Sequence, residues 1–542
     1  MRPRLATFLS CVALLAAPSV ARAQVLGPWH AAPAQVRFVD AVNGNDANNG
    51  LTPATAWQTV TFALSTTQFF VDAGIAVTYN LAPGTYSGAV ESLPWHLAAK
   101  CTSIEATGPG VLVQGNGASS AILVDTPGVA MGPGGPTPDT QIRGLEIAGA
   151  GIGIVLDVGR NARMQANIPT AVEITQCDIH DNGSVGVREL GTDTWRTLHL
   201  IERSTIHHNH VIGVDILGGG VTSTIVRSND IFTHETNVRV LGGASPALSC
   251  RPRIQSNFVR DSTVAQLDLQ SCSPWIAANT VAFATMGVGI NYFAPATEVI
   301  FIVDNIVWNP AIATQIAIAG GAASTVNSND VFGGFAGGNV NILPNFVAVP
   351  TNLHLNPTPG VTESGVTAWV TPPLAFAVGG VNVPIDTRAD VDGDPRVLDL
   401  NVDANAVIDM GADEIRAVRL TATAGADVFG NALAGTNVTL NVTGRNGDGV
   451  ALYMWFRISV DPKLVDFFLN PIGNVMFDVL TPGDSILLAT GTIVGGSFTT
   501  TLTLPPAPAS PVEGEFYLQA LVAPASLATG DMTNPLRLEA NL

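Results

Sequence analysis

Charge is scarce in this chain, and positive charge is scarcest. Only 12% of the 542 residues are Asp, Glu, Lys or Arg, and 24 basic residues face 43 acidic ones. Phosphate binding needs a basic surface, so nucleic acid is not an expected partner. The apolar stretch from Leu5 to Ala17 is shorter than the roughly 18 to 20 residues a membrane-spanning helix requires, and the C-terminus has nothing comparable. With Arg2 and Arg4 before it and Ala21-Arg22-Ala23 after it, this stretch reads as a secretory signal over residues 1–23. Export without a membrane anchor is the expectation, with a mature chain from Gln24 carrying 21 basic and 43 acidic residues, a formal charge of −22. Cys11 permits a lipoprotein signal as an alternative, although it sits inside the apolar region upstream of the better cleavage site. Long amphipathic helices are nearly missing, and 55 glycines with 35 prolines suit an all-β chain of many tight turns. The length implies two or three domains.

An imperfect repeat occupies Ile142 to Phe332. A short apolar run, a polar turn residue and two further apolar runs recur, with the turn position aligned at Glu146, Asp178, Thr205, Asp230, Asn257, Asn279, Asn305 and Asp330. Steps of 22 to 32 residues suit a three-strand coil of a β-solenoid and are too irregular for helical repeats of fixed length. One coil cannot bury its apolar face alone, so stacked coils share a core and leave a long external face on which a polymer can lie. Of the cysteines outside the signal, Cys250 and Cys272 each stand seven residues before a turn position. Stacked strands are about 4.8 Å apart, within the Cα separation a disulfide spans. An exported protein is expected to close that bridge, the alternative being two buried free thiols. Cys101 and Cys177 suggest no pairing.

Residues 36–64 combine a strand, an Asn/Asp/Gly-rich turn region and a short amphipathic segment from Trp57 to Leu64. Through Phe38-Val39-Asp40, Gly44-Asn45-Asp46, Asn49-Gly50, Trp57-Gln58-Thr59, Ala63-Leu64 and Pro83-Gly84-Thr85-Tyr86, this region resembles the N-terminal segment of right-handed parallel β-helix proteins of the pectate-lyase-like superfamily. With the repeat, the resemblance covers about residues 36–415. It implies a fold rather than an activity, since that superfold carries lyases, hydrolases and adhesins. The segment from Trp57 to Leu64 is expected to cap the open end of the solenoid, which would otherwise expose strand edges and an apolar cross-section.

The repeat decays after Gly333-Gly334-Phe335 towards Trp369. Asp392-Gly393-Asp394-Pro395-Arg396 and Asp409-Met410-Gly411-Ala412-Asp413-Glu414 are similar to the closing segment of secreted β-helix proteins, placing a domain end near Ile415. Residues 416–542 alternate strand-like runs at 437–442, 451–458, 497–504, 515–522 and 535–542 with turn clusters, predicting a small β-sandwich. Gly514-Glu515-Phe516-Tyr517-Leu518-Gln519-Ala520-Leu521 resembles terminal modules of exported multi-domain bacterial proteins, a resemblance that implies an accessory role. The expected organisation is therefore a signal at 1–23, an all-β right-handed parallel β-helix at 24–415 and a C-terminal β-sandwich at 416–542.

Aligning Val187, Val214, Val238, Leu267 and Ile290 as inward residues makes Arg188, Asp215, Arg239, Asp268 and Asn291 one outward column. It reads either as a surface charge ladder that keeps the face soluble, each exposed pair worth at most about 1 kcal/mol, or as a sugar-binding face. Beside it lie Asp178, His180, Asp181, His207, His208, His210, His234 and Glu235. Imidazole with carboxylate can do general acid–base work on a glycoside or uronide, or hold zinc, and can equally be ordinary polar turn chemistry. The chain lacks the paired aspartates and Gly-His-Gly run of polygalacturonase-like enzymes, and nothing clearly matches the calcium-and-arginine set of pectate lyases. Arg188, Asp215, Arg239, Asp181 and His208 are the expected ligand contacts. For metal, Asp390, Asp392, Asp394, Asp399, Asn401, Asp403 and Asp409 place oxygen donors at alternate positions, a pattern that can converge on calcium. The alternative is a turn-rich closing segment whose carboxylates cap backbone N–H groups. The functional expectation is an exported protein binding a polysaccharide or other surface polymer, with a polysaccharide lyase or glycosidase, or a structural adhesion protein, as rivals.

Overall fold

The computed structural model describes residues 35–355 apart from 73–74, 99–101, 126–139, 158–171, 192–195, 198, 219–220, 223, 244–249, 296–297 and 321–322. Beyond these it describes 375–378, 381–384, 391, 410–412 and strand or bridge residues between 419 and 541. Two compact units emerge, one of residues 33–417 and one containing 418–542. Among the described residues the single α-helix is α1 (Val60–Asp72), and no helix is long and apolar enough to cross a membrane.

In residues 33–417 strands recur in threes. Sheet A runs from Gln35–Val39 to Ala323–Asn327, sheet B from Gly84–Ser87 to Asp330–Val331, and sheet C from Trp95–Ala98 to Thr314–Ala319. Neighbouring strands pair in parallel, each with its counterpart one coil on, as Val172–Thr175, Asp178–His180 and Val185–Leu190 do with the strands that follow. The inward residues explain the stack. Ile174, Ile201 and Val226 on sheet A, Ile179, Ile206 and Ile231 on sheet B, and Val187, Val214 and Val238 on sheet C are all buried in one core cluster. Each such side chain stabilises the fold by about 1.5–3 kcal/mol. Val187, Val214, Val238, Leu267 and Ile290 stand in register as the periodicity required.

The turn alignment needs one correction. On sheet B, Asp178 pairs with Thr205 and Thr205 with Asp230, but Asp230 pairs with Phe258, Phe258 with Thr280 and Thr280 with Ile306. Asn257, Asn279 and Asn305 therefore stand one position earlier, in the turn between sheets A and B, together with Ser204, Asn229 and Asn329. They are interior residues. Asn279 Nδ2 donates to Ile254 O (2.8 Å) and Ala277 O (3.1 Å), while its Oδ1 accepts from the N (3.1 Å) and Nδ2 (2.9 Å) of Asn257. The same contacts repeat from Asn229 to Asn329, and Asn339, from the loop beyond the last coil, accepts the final pair of bonds. A slip of one residue had merged a buried amide with an exterior strand position, and the two face opposite ways.

The N-terminal cap is longer than Trp57 to Leu64. Helix α1 buries Val60, Ala63, Thr67 and Val71 along one face, and Val60, Ala63 and Val71 join the same core cluster. Glu91 caps its N-terminus, accepting from Val60 N (2.8 Å) and Thr61 N (2.9 Å), where the helix dipole favours negative charge. At the other end of the unit, Phe346–Ala348, Asn352–Leu355 and Met410–Ala412 form a strap against the outer face of sheet B, over Phe258, Ala282, Ile306 and Trp308. Gly411, at φ +93, lies so close that a Cβ there would stand 2.6 Å from Ile306 Cδ1.

Cys250 and Cys272 are not cross-linked: both are buried free thiols. Their register is as expected, since Arg253 pairs with Trp275, three residues beyond each. Stacked side chains leave parallel Cα atoms, however, so the Cβ separation stays near the strand spacing of about 4.8 Å, longer than the roughly 3.5–4.5 Å a disulfide needs. Cys177 is also a buried free thiol, and Cys101 lies outside the described residues. In residues 418–542 the strands form a three-stranded sheet including Asn437–Thr443 and Ser497–Thr503, and a six-stranded sheet including Gly449–Arg457, Glu513–Ala523 and Leu536–Asn541.

Candidate functional site

Sheet C carries the predicted column. Arg188 pairs in register with Asp215, Asp215 with Arg239, Arg239 with Asp268 and Asp268 with Asn291. Arg188 Nε donates to Asp215 Oδ2 (2.9 Å), while Arg239 donates from Nε to Oδ1 (2.8 Å) and from Nη2 to Oδ2 (2.9 Å). Asp215 was expected to be exposed, and this is corrected: the two guanidiniums cover it completely, leaving 0% of the residue accessible. Three charge-assisted hydrogen bonds offset the cost of taking that carboxylate out of water. The hydrogen bond to Asp215 raises the Arg239 pKa against the opposing effect of burial. The simple alternation ends there, because Asp268 is held by Asn291 Nδ2 (2.8 Å) and Gln270 Nε2 (3.1 Å).

A second cluster follows the outer face of sheet B. His180, His207, Phe232 and Arg260 stand in register on successive coils. The rings stack almost parallel, His180 on His207 at 4.9 Å and His207 on Phe232 at 5.0 Å, and the Arg260 guanidinium lies 3.8 Å from the Phe232 centroid. Stacking uses the ring faces and leaves their edges for carboxylates. His180 contacts Glu146 through Nε2 (3.3 Å) and Asp181 through Nδ1 (2.9 Å), and Arg260 Nη2 donates to Asp230 (2.8 Å). Burial alone would lower the His180 pKa, but hydrogen bonding to Asp181, with Asp178 and Glu146, raises it. The same hydrogen bond holds Asp181 below the usual carboxylate range.

Asp181 and His208 both adopt the left-handed backbone at φ 51, at the corner between sheets B and C. The next coil repeats the pattern with a second imidazole in the chain. His207 Nε2 donates to Asp178 Oδ1 at 3.0 Å. His207 Nδ1 and His208 Nδ1 stand 2.7 Å apart and share one hydrogen bond, its donor set by the tautomer. His208 is exposed.

His234 leaves the strip: it is buried, with Nδ1 on Asn237 Oδ1 (2.7 Å) and Nε2 accepting from Asn209 Nδ2 (3.2 Å). Burial lowers its pKa to about 4. No hydrogen bond or ion pair joins the sheet C column to the histidine strip among the described residues. Phe232 and Arg260 escaped the sequence reading, although they occupy the repeat position of His180 and His207; Glu146 and Asp230 entered it only as turn positions of the repeat. The slipped register at Asn257 hid Arg260. Asp390, Asp392, Asp394, Asp399, Asn401, Asp403 and Asp409 lie outside the described residues, and among those described no group of three His, Cys, Asp or Glu side chains is arranged to hold a metal.

Residues 128–331, which span the coils bearing both clusters, match the family model for the right handed beta helix region. The solenoid is a right-handed parallel β-helix. Solved structures similar to this β-helix protein include lacto-N-biosidase from Eubacterium ramulus, 11% identical over 53% of this chain and 68% of that one, with a TM-score of 0.27. A complex of XylC with xylose is 10% identical over 58% and 88%, at 0.32. Tailspike protein 2 from the Escherichia coli O157:H7 bacteriophage CAB120 is 11% identical over 86% and 65%, at 0.27. TM-scores of this size carry nothing about activity to the present chain. No curated protein matches it.

Proposed function

We infer that this is an exported β-helix protein that holds a linear polysaccharide or other surface polymer along the outer face of sheet C. One observation supports the reading above others: Arg188, Asp215, Arg239, Asp268 and Asn291 come from five successive coils in register, bonded as Arg188–Asp215–Arg239 and Asp268–Asn291, on a line parallel to the solenoid axis. Half-buried Leu190, Leu217 and Leu241 form a second line on the same face, two residues along each strand. A polar line beside an apolar one suits a sugar chain, which offers hydroxyl edges and C–H faces. In the same reading the acidic segment from Asp390 to Asp409 binds calcium.

A broad glycan array, followed by calorimetry on each hit, tests the inference. Arg188→Ala should weaken binding of a hit about tenfold, the worth of a charge-assisted hydrogen bond, with the melting curve little changed. A folded Arg188→Ala variant with full affinity for every hit would move the binding surface elsewhere. The exposed His208, hydrogen-bonded to His207 and through it to Asp178, favours a second reading, catalysis by proton transfer on the bound polymer. Reducing-end and unsaturated-uronide assays on the same hits separate the two: product that disappears in His208→Gln supports catalysis, and binding without product supports the first reading.

A further inference from the structure

The spacing of the two arginines carries the polymer reading one step further, to the chemistry of the polymer. Arg188 and Arg239 are two coils apart, which at the parallel strand spacing is about 10 Å. Both guanidiniums are held in place by the one carboxylate between them. Asp215 engages Nε of Arg188 and both Nε and Nη2 of Arg239, so neither side chain is free to swing towards a ligand or away from it. The side chains remain 26% and 30% exposed, whereas Asp215 is fully covered. Among the described residues, Arg188 Nη1 and Nη2 and Arg239 Nη1 have no hydrogen-bond partner. They form two outward-facing donor sites separated by a position that offers none.

The neighbours sharpen the pattern. One coil beyond Arg239 the column turns acidic at Asp268, whose oxygens are taken by Asn291 and Gln270. On the other side run the leucines at 190, 217 and 241. A linear pyranose chain lying along the axis advances by about one strand spacing per sugar, so successive sugars meet successive coils. Acidic groups on alternate sugars would reach Arg188 and Arg239. An acidic group on the sugar between them would meet either the clamped Asp215, an acceptor-only carboxylate that repels it, or the leucines, where its charge would be desolvated without a partner.

We propose that the outer face of sheet C binds a linear polysaccharide carrying one carboxylate per disaccharide, read by Arg188 and Arg239 two coils apart. The proposal rests on the polymer-binding reading above. It names a selectivity which that reading does not require.

The full-length protein is titrated at low salt with hyaluronan and unsulfated chondroitin, which carry a uronate on every second sugar. Polygalacturonate, with one on every sugar, and dextran, with none, serve as comparisons. The alternating polymers should bind about tenfold or more tighter than polygalacturonate, as expected if one misplaced carboxylate costs a charge-assisted contact. Arg188→Gln should remove that preference and leave the Arg239–Asp215 pair in place. Arg239→Gln can unfold the clamp, so its binding is scored only if its melting curve is retained. Equal or tighter binding of polygalacturonate overturns the proposal, as does an unchanged preference in folded Arg188→Gln. Binding to dextran alone overturns it while leaving the polymer reading intact. Failure to bind any polymer on the glycan array removes both.

Discussion

The His234 ring donates from Nδ1 to Asn237 and accepts at Nε2 from Asn209, an arrangement that only the neutral ring can make. Its pKa falls from 6.5 to about 4 because it is buried. Between those values the unfolded chain holds a proton that the folded chain does not, so stability rises with pH there and is lost on acidification. The loss amounts to up to about 3 kcal/mol by the time the pH reaches the folded value. Asn209 fills the equivalent place one coil earlier with an amide, so His234→Asn should keep the ladder and flatten the decline. Urea midpoints measured from pH 6.5 down to about 4 will show it. His199, buried and likewise lowered, leaves a residual slope of the same sign. His180 works the other way: its pKa is raised, so its contribution is present at low pH and lost as pH rises through the folded value. A sequence shows that histidines cluster, but not which of them turns inward. His208 and His234 both follow short sheet B strands, and only the register separates an exposed ring from a buried strut.

At the scale of the element, the interior amide ladder does what a capping residue does for a helix, once per coil. Asn279→Ala would take partners from the buried N of Asn257 and carbonyl of Ile254, whereas Asn257 Nδ2 keeps Val226 O and Gln255 O. Each buried polar group left without a partner costs about 1–3 kcal/mol, so a loss of about 2 kcal/mol or more is expected. It should appear as a lower urea midpoint with an unchanged slope. A loss below about 0.5 kcal/mol would mean that the turn is held by its backbone bonds alone. The three-strand coil and the inward column of sheet C were legible because apolar alternation survives variable turn lengths. The ladder was half legible: the asparagines stood out at repeat spacing, but Asp178 and Asp230, one position later and outside, look alike in sequence. The strap was legible only as a closing segment. Nothing in Met410-Gly411-Ala412 announces a partner on Ile306 more than a hundred residues earlier, and the φ of +93 at Gly411 together with the space a Cβ would fill explains the glycine.

For the molecule as a whole, the repeat and the resemblance carried by residues 36–64 were enough to predict the architecture, since a stacked core needs only repetition and not a particular loop. Placing the chemistry was harder, because it depends on side chains from different coils meeting, as Arg188, Asp215 and Arg239 do. The calcium proposal belongs to this scale. If Asp390 to Asp409 binds the ion only when folded, millimolar calcium should raise the melting temperature by mass action, and chelator should reverse it. Identical melting curves with and without chelator, and no heat of binding, would reduce that segment to a turn-rich closure.

A self-similar stack has no inherent last member, and its final coil offers the same donors as every coil before it. Here Asn339 occupies the next rung from a loop, accepting from Asn329 N (2.9 Å) and Nδ2 (2.8 Å), and Val340 makes a parallel bridge to Asp330. The loop is a counterfeit coil that satisfies the terminal amide and lacks a successor. Because of it, this corner of the last coil is a poorer template for another copy of the chain than a bare rung would be, since its amide donors are already used.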